Sequence, residues 1–221
     1  VMSLPAETRG DRNEVNSLVA NRRYPEVMGW IERNAGAAFL YDEVGRLTQD
    51  PGSQGKISRF LARFPFKAIF TTNFDDSLAR HTSEAGKACS RFSNTRDDIS
   101  AVDVDALTCV VKLHGDTTHR ETIVLTDEQY LAIQTSGDFT YLRDFIKAYF
   151  ANTRFLIVGY SLSDPDINLL LGEIAQNLRR KTPIYALMAD VPPDERARFS
   201  LLYNVEVISY KNASGDHREL A

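Results

Sequence analysis

The chain has 221 residues, 43% hydrophobic and 25% charged, with a net charge of -4 and a pI near 5.6. That length allows one large or two small globular domains with a sizeable buried core. The acidic balance argues against direct nucleic-acid binding, and no apolar run approaches the length of a membrane span. Val1 to Asn13 lacks the apolar core of a secretory signal. The two cysteines, Cys89 and Cys109, form no C-x-x-C pair. They cannot build a four-cysteine zinc ribbon, so they read as reduced thiols of a cytoplasmic protein, with no metal expected.

Val15, Leu18 and Val19 follow helical i, i+3, i+4 spacing, and Val27, Trp30 and Ile31 repeat it. Both sets read as core-facing helix surface. Gly45 to Lys56 reads as a loop from its Gly, Pro, Ser and Asp content. Ile57, Phe60, Leu61 and Phe64 mark a short helix that Pro65 stops. Ala68-Ile69-Phe70 then reads as a buried strand, broken by the polar run Thr71 to Asp76, with a helix from Ser77.

Lys87 to Asp105 shows no helical period and reads as short strands and loops. Cys109 to Leu113 is a β-branched strand ending in His114-Gly115-Asp116. Ile123 to Leu125 reads as a short strand. Thr126 with Gln129 is a capping-box signature for the next helix. Phe139, Leu142, Phe145, Ile146 and Tyr149 line a further helical stripe after a break at Ser136-Gly137. Arg154 to Val158 is a third buried strand, ending in Gly159-Tyr160-Ser161.

Asp164 and Pro165 have the N-cap and first-turn chemistry of a helix lined by Ile167, Leu170, Leu171, Ile174 and Leu178. Arg179, Arg180 and Lys181 suit its C-terminal dipole. Strands at Ile184 to Met188 and Val205 to Tyr210 flank a helix from Asp194 to Tyr203, and a polar tail follows. Strands alternating with helices predict an α/β, Rossmann-like, mostly parallel sheet with helices on both faces.

Three strands end in polar or glycine-containing motifs. If they run parallel, TTNFD, HGD and GYS emerge at one edge, where open α/β sheets bind ligands. Each motif also has a plain structural alternative. Thr72, Asn73 or Asp75 can cap the next helix, His114 can be a turn histidine, and Gly159 a turn glycine. Taken together they predict a ligand site, and the sheet type favours a nucleotide. Gly159 lets a backbone approach a phosphate or ribose, and the Asp164-Pro165 helix start suits an anion. His114 titrates nearest neutrality and is the natural general base. Asn73 offers an amide that can orient water or a ribose hydroxyl. Neither position is expected to fill the core.

TTNFD (Thr71 to Asp75), KLHGD (Lys112 to Asp116) and FLIVGYSLSDPDIN (Phe155 to Asn168) resemble the three core motifs of the sirtuin-like domain family. The match is to its bacterial NAD-cleaving branch, whose members often act as toxic effectors of anti-phage defence. The resemblance runs from about Leu4 to Tyr210. It implies that Asn73 and His114 are the catalytic pair. It places Asp75 near the nicotinamide, Gly159 and Ser161 on the phosphate or ribose side, and Thr72 and Gly115 among the NAD contacts. It implies a single NAD-binding domain over 1–221, with smaller subregions about 6–64 and 87–108.

Sirtuin deacylases carry a four-cysteine zinc ribbon that this chain lacks, so NAD hydrolysis is favoured over peptide deacylation. The family also opens with a strand and a G-A-G-x-S turn, absent here. Leu4-Pro5 resembles the Leu-Pro that follows that turn in relatives, so the chain is expected to begin just after it. Three functions follow: an NAD glycohydrolase of antiviral defence, a non-catalytic NAD or ADP-ribose sensor, and an NAD-dependent deacylase. The resemblance further implies a homo-oligomer or a complex with a defence-system partner protein.

Overall fold

The computed structural model describes residues 12–48, 56–103, 108–159, 171–172 and 182–213. The chain divides into two compact units, Val1–Ser136 and Gly137–Ala221.

The first unit opens with helices α1 (Arg12–Ala20), α2 (Tyr24–Ala35) and α3 (Ala37–Thr48). Their apolar positions recur at helical spacing, so Val15, Val27, Trp30, Ile31, Leu40 and Val44 bury together as one core. The indole of Trp30 keeps its hydrogen bond inside that core, donating to Glu14 Oε2 at 3.0 Å. Val19 departs from the expected stripe and is exposed. The loop expected from Gly45 starts later: residues 45–48 complete α3, where Thr48 Oγ1 donates to the Val44 carbonyl at 2.8 Å. Helix α4 (Lys56–Ala62) follows. Phe60 and Phe64 are largely exposed and stack edge-on against each other, ring centroids 5.0 Å apart.

The sheet of this unit has β1 (Ala68–Thr71), β2 (Ser90–Phe92) and β3 (Cys109–Lys112) in the order β1-β3-β2, all parallel. β3 is central and buried at every residue, which explains its near-continuous apolar run. β1 is only half-buried, contrary to the expectation of a buried strand, and among the described residues it lies at an edge of its sheet. Helix α5 (Ser77–Glu84) follows β1.

The stretch without visible period holds a six-residue helix, α6 (Arg96–Ala101). Capping sets it: Thr95 Oγ1 accepts from Asp98 N, and the carboxylate of Asp98 accepts from Ser93 N at 2.7 Å. Residues 123–125 are not a strand. They run extended into helix α7 (Asp127–Thr135), and Val124 N–H is bound to the His114 carbonyl at 2.9 Å. The capping box is present as expected. Thr126 Oγ1 accepts from Gln129 N, and Gln129 Oε1 accepts from Thr126 N.

The second unit begins with a 3-10 turn over 137–139 and α8 (Thr140–Asn152), so the break at Ser136-Gly137 is real. Strands β4 (Leu156–Val158), β5 (Ile184–Ala189) and β6 (Val205–Tyr210) form a second parallel sheet in that order. Leu156 is exposed rather than buried. Helix α9 (Pro193–Tyr203) links β5 to β6 and stops at Asn204, whose positive φ of 52° gives it a left-handed cap. Leu4-Pro5, Ser161, the Asp164-Pro165 helix start and the Arg179-Arg180-Lys181 cluster lie outside the described residues. Among the described residues no helix is long and apolar enough to cross a membrane.

Parallel sheets alternating with helices make this an α/β, Rossmann-like fold. Because the capping box fixes the start of α7, Thr126→Ala should lower stability by about 1 kcal/mol, read as a lower urea midpoint with an unchanged slope.

Candidate active site

Parallel pairing decides where the motifs go. Thr71 of β1 pairs with Lys112 of β3, and the ladder continues with Leu113 N donating to Thr71 O at 2.8 Å. Asn73 and His114 each lie two residues past that pair, so the two loops leave the same edge of adjacent strands. β2 adds a third loop there, since Phe92 pairs with Val111 and Asn94 lies two residues beyond Phe92. Adjacent strands are about 4.8 Å apart, which brings these loops together without any long-range device.

The loop after β1 is tied down by its own polar atoms. Asn73 N donates to Thr71 Oγ1 at 3.0 Å, and Ser77 N donates to Asp75 Oδ1 at 2.8 Å. Asp75 therefore does the helix-start work that the plain reading allowed, and Thr72 is half-buried beside it. The side chain of Asn73 is exposed and has no hydrogen-bond partner among the described residues. Phe74 points the other way and packs against the helical core of α1 to α3.

His114 is buried, 7% exposed, where an open loop position was expected. Its ring meets Tyr130 of α7 edge-on, with centroids 5.1 Å apart, and its Nδ1 lies 3.3 Å from the Tyr130 hydroxyl. Gly115 has a positive φ of 85° and sits against Thr122. A Cβ there would come within 2.1 Å of the Thr122 carbonyl oxygen, so only glycine fits. This structural demand is sufficient to explain Gly115. Gly159, after β4 in the second unit, also has a positive φ, 69°, with no atom of the described residues within 4 Å of where a Cβ would sit.

Two residues hold this edge and were missed by sequence reasoning. Asn94 is buried and donates through Nδ2 to the Leu113 carbonyl at 3.2 Å and the Thr122 carbonyl at 2.9 Å. Lys112 is 2% exposed. Its ammonium donates to the Phe74 carbonyl at 2.9 Å and to Asp116 Oδ2 at 2.5 Å. It also lies 2.7 Å from Asp76 Oδ1, an ion pair without hydrogen-bond geometry. Arg91 of β2 binds the other oxygen of Asp76 at 2.5 Å. A lysine inside the run Cys109 to Leu113 was a signal in itself, since buried lysines are rarely unpaired. Asn94 gave no comparable signal, because β2 is three residues long.

Burial opposes ionisation of Asp116, but the Lys112 ammonium and the two Thr118 donors outweigh it and hold the carboxyl below its usual value. Both thiols are pushed up, by burial first, which suits unreactive cysteines. Among the described residues no group of three or more His, Cys, Asp or Glu side chains forms a metal site.

Two predictions follow from these environments. Gly159→Ala should cost about 1–2 kcal/mol from the left-handed backbone penalty. Gly115→Ala adds a backbone collision and should cost more, read as a larger fall in Tm. Asp116 has a depressed folded pKa, so its contribution is complete above the unfolded value of about 3.9 and is lost as pH falls through the folded value. Asp116→Asn should therefore be less stable at pH 7 and lose less stability than the unaltered chain below about pH 4, measured by urea unfolding across that range.

Residues 67–208, more than half of the chain, match the SIR2-like domain family. Over 182 residues the chain is 28% identical to a protein of Acinetobacter baumannii (strain 532279) named NAD(+) hydrolase ThsA, covering 80% of this chain and 36% of that protein. Proteins of the same name from Enterococcus faecium and Bacillus cereus (strain MSX-D12) are 25% and 26% identical. They align over 82% and 77% of this chain and 37% and 34% of their own lengths. The chain thus spans little more than a third of the length of these relatives. The family match, together with the parallel sheets and the strand-end motifs, shows that the chain belongs to the SIR2-like domain family.

Proposed function

We propose that this chain is the NAD-cleaving domain of a bacterial NAD glycohydrolase that breaks the nicotinamide–ribose bond. The observation that carries the reading is the delivery of Asn73 and His114 to one edge of adjacent parallel strands. Similarity to proteins named NAD(+) hydrolase supports it.

Breaking that bond builds positive charge on the ribose, as in glycoside hydrolysis. Nicotinamide leaves with the bonding electron pair as a neutral molecule, so little acid assistance is needed. Water then bonds to the ribose carbon and loses a proton. In this proposal the exposed amide of Asn73 orients that water or a ribose hydroxyl, and His114 takes the proton. Asp75 lies near the nicotinamide, Gly159 and Ser161 contact the phosphate or ribose side, and Thr72 and Gly115 are further NAD contacts. NAD is the substrate, and no metal takes part.

The three motifs belong to one NAD-binding domain, 1–221. The protein acts as the NAD-depleting effector of an anti-phage defence system in the cytoplasm, as a homo-oligomer or with a defence partner protein. An unregulated NAD hydrolase would drain its own cell, so basal activity is low and assembly raises it.

The test is nicotinamide release by the assembled full-length protein. Asn73→Ala should reduce turnover by about 10²–10⁴ with Tm unchanged, because that side chain is exposed. His114→Gln should do the same and bind NAD normally. Gln is preferred to Ala because His114 is buried. Normal turnover by His114→Gln would remove the role given to His114, and an assembled full-length protein that binds NAD without releasing nicotinamide would leave the non-catalytic sensor as the reading. Release only in the presence of an acylated peptide would indicate a deacylase.

A further inference from the structure

We propose that Asn94 is a positioning residue for His114. Its carboxamide fixes the peptide group that leads into the histidine and ties it to the segment that holds the peptide group leading out. The inference rests on reading His114 as the base of NAD cleavage.

The geometry starts from where the strand ladder stops. β2 pairs with β3 as far as Phe92 opposite Val111, so Asn94 stands level with Leu113. At that level a side chain takes over from the main chain. Asn94 Nδ2 donates to the Leu113 carbonyl at 3.2 Å, which belongs to the peptide group joining Leu113 to His114. The same nitrogen donates to the Thr122 carbonyl at 2.9 Å. Carbonyl oxygens accept and cannot donate, so these two partners fix which end of the carboxamide faces them. Asn94 is 3% exposed, which shields both bonds from water.

The second bond turns a local contact into a clamp. Thr122 lies just ahead of Val124, whose N–H donates to the His114 carbonyl at 2.9 Å. The peptide groups on both sides of His114 are therefore held, one by Asn94 and the other by the segment that Asn94 grips. Gly115 makes this close approach possible, since a Cβ there would collide with the same Thr122 carbonyl. With the backbone of His114 set from both sides, the rotamers open to its imidazole are set too.

Asn94 is itself anchored. Ser93, before it, donates its N–H to Asp98 Oδ2 at 2.7 Å, and Thr95, after it, caps α6 by accepting from Asp98 N at 3.2 Å. The position also demands its residue type. An ionised aspartate of the same shape would set a carboxylate against two carbonyl oxygens and supply no donor.

The experiment measures nicotinamide release by the assembled full-length protein for Asn94→Ala, His114→Gln and the double variant. NAD labelled in the nicotinamide ring lets slow release be counted, and all proteins are assayed well below the lowest Tm of the set. Asn94→Ala should lower kcat by about 10²-fold, the effect of a reacting group displaced by about 1 Å, and leave KM nearly unchanged. Adding Asn94→Ala to His114→Gln should cost nothing further, because the group it positions is already gone. A residue that merely supports the fold would instead multiply the two losses. Asp98→Ala cuts the anchor at Ser93 and keeps the Asn94 side chain, so it serves where Asn94→Ala fails to fold. It should show a smaller fall in kcat that again vanishes in the His114→Gln background.

Losses that multiply in the double variant would overturn the proposal. So would an unchanged kcat in the variant that folds, or a rise in KM alone, with His114→Gln impaired. Normal turnover by His114→Gln would overturn the base reading and this inference with it, so that single variant tells the two failures apart.

Discussion

The arrangement depends on one buried charge. Lys112 ends the central strand of the first sheet with its ammonium withdrawn from water. An ammonium there persists only if its charge is compensated. The compensating groups come from three places: the backbone of the β1 loop at Phe74, the carboxylate of Asp76 before α5, and Asp116 in the turn after β3. The same atom that must be compensated therefore fastens the loop bearing Asn73 to the turn bearing His114. Arg91 adds a second cation on Asp76, leaving two positive and two negative groups. Lys112 and Asp116 are the largely buried members, so removing Asp116 leaves a buried charge short of a partner and is costly, whereas the exposed Arg91–Asp76 pair contributes less.

Polar and apolar forces divide the work at this edge. The ion-pair network sets the spacing of the β1 and β3 loops along the sheet. Phe74 fixes the β1 loop against the core of α1, α2 and α3. The helices before the first strand thus do more than cover the sheet, since their apolar face receives a residue adjacent to Asn73. Glycine 115 then brings the turn close enough to Thr122 for Asn94 and Asp116 to close it.

Much of this was legible in the sequence. The periods of α1 and α2, the capping box of α7, the break at Ser136-Gly137 and the strand at Val205–Tyr210 all rest on local chemistry. What escaped depended on pairing. A three-residue strand such as β2 has too few positions to show a period. α6 is defined by its cap rather than by an apolar face. The half-burial of β1 goes with its edge position among the described residues, which depends on strand order. The motif residues Asn73 and His114 could be named, but not their opposite exposure. Loop composition carries no information about what packs above the loop.

That difference in exposure suits the proposed chemistry. A residue that orients water or a hydroxyl must reach solvent-derived groups, and Asn73 presents an amide without an internal partner among the described residues. A base works best where its orientation is fixed and water cannot compete for it. His114 is buried, with its backbone carbonyl bonded to Val124, its ring against Tyr130 and its flanking carbonyl bonded by Asn94. Each of those contacts comes from a different element: the segment before α7, α7 itself and the loop after β2. Fixing one imidazole thus draws on the central strand and the elements on either side of it in sequence. The motif is short, but its support is spread over residues 94 to 130.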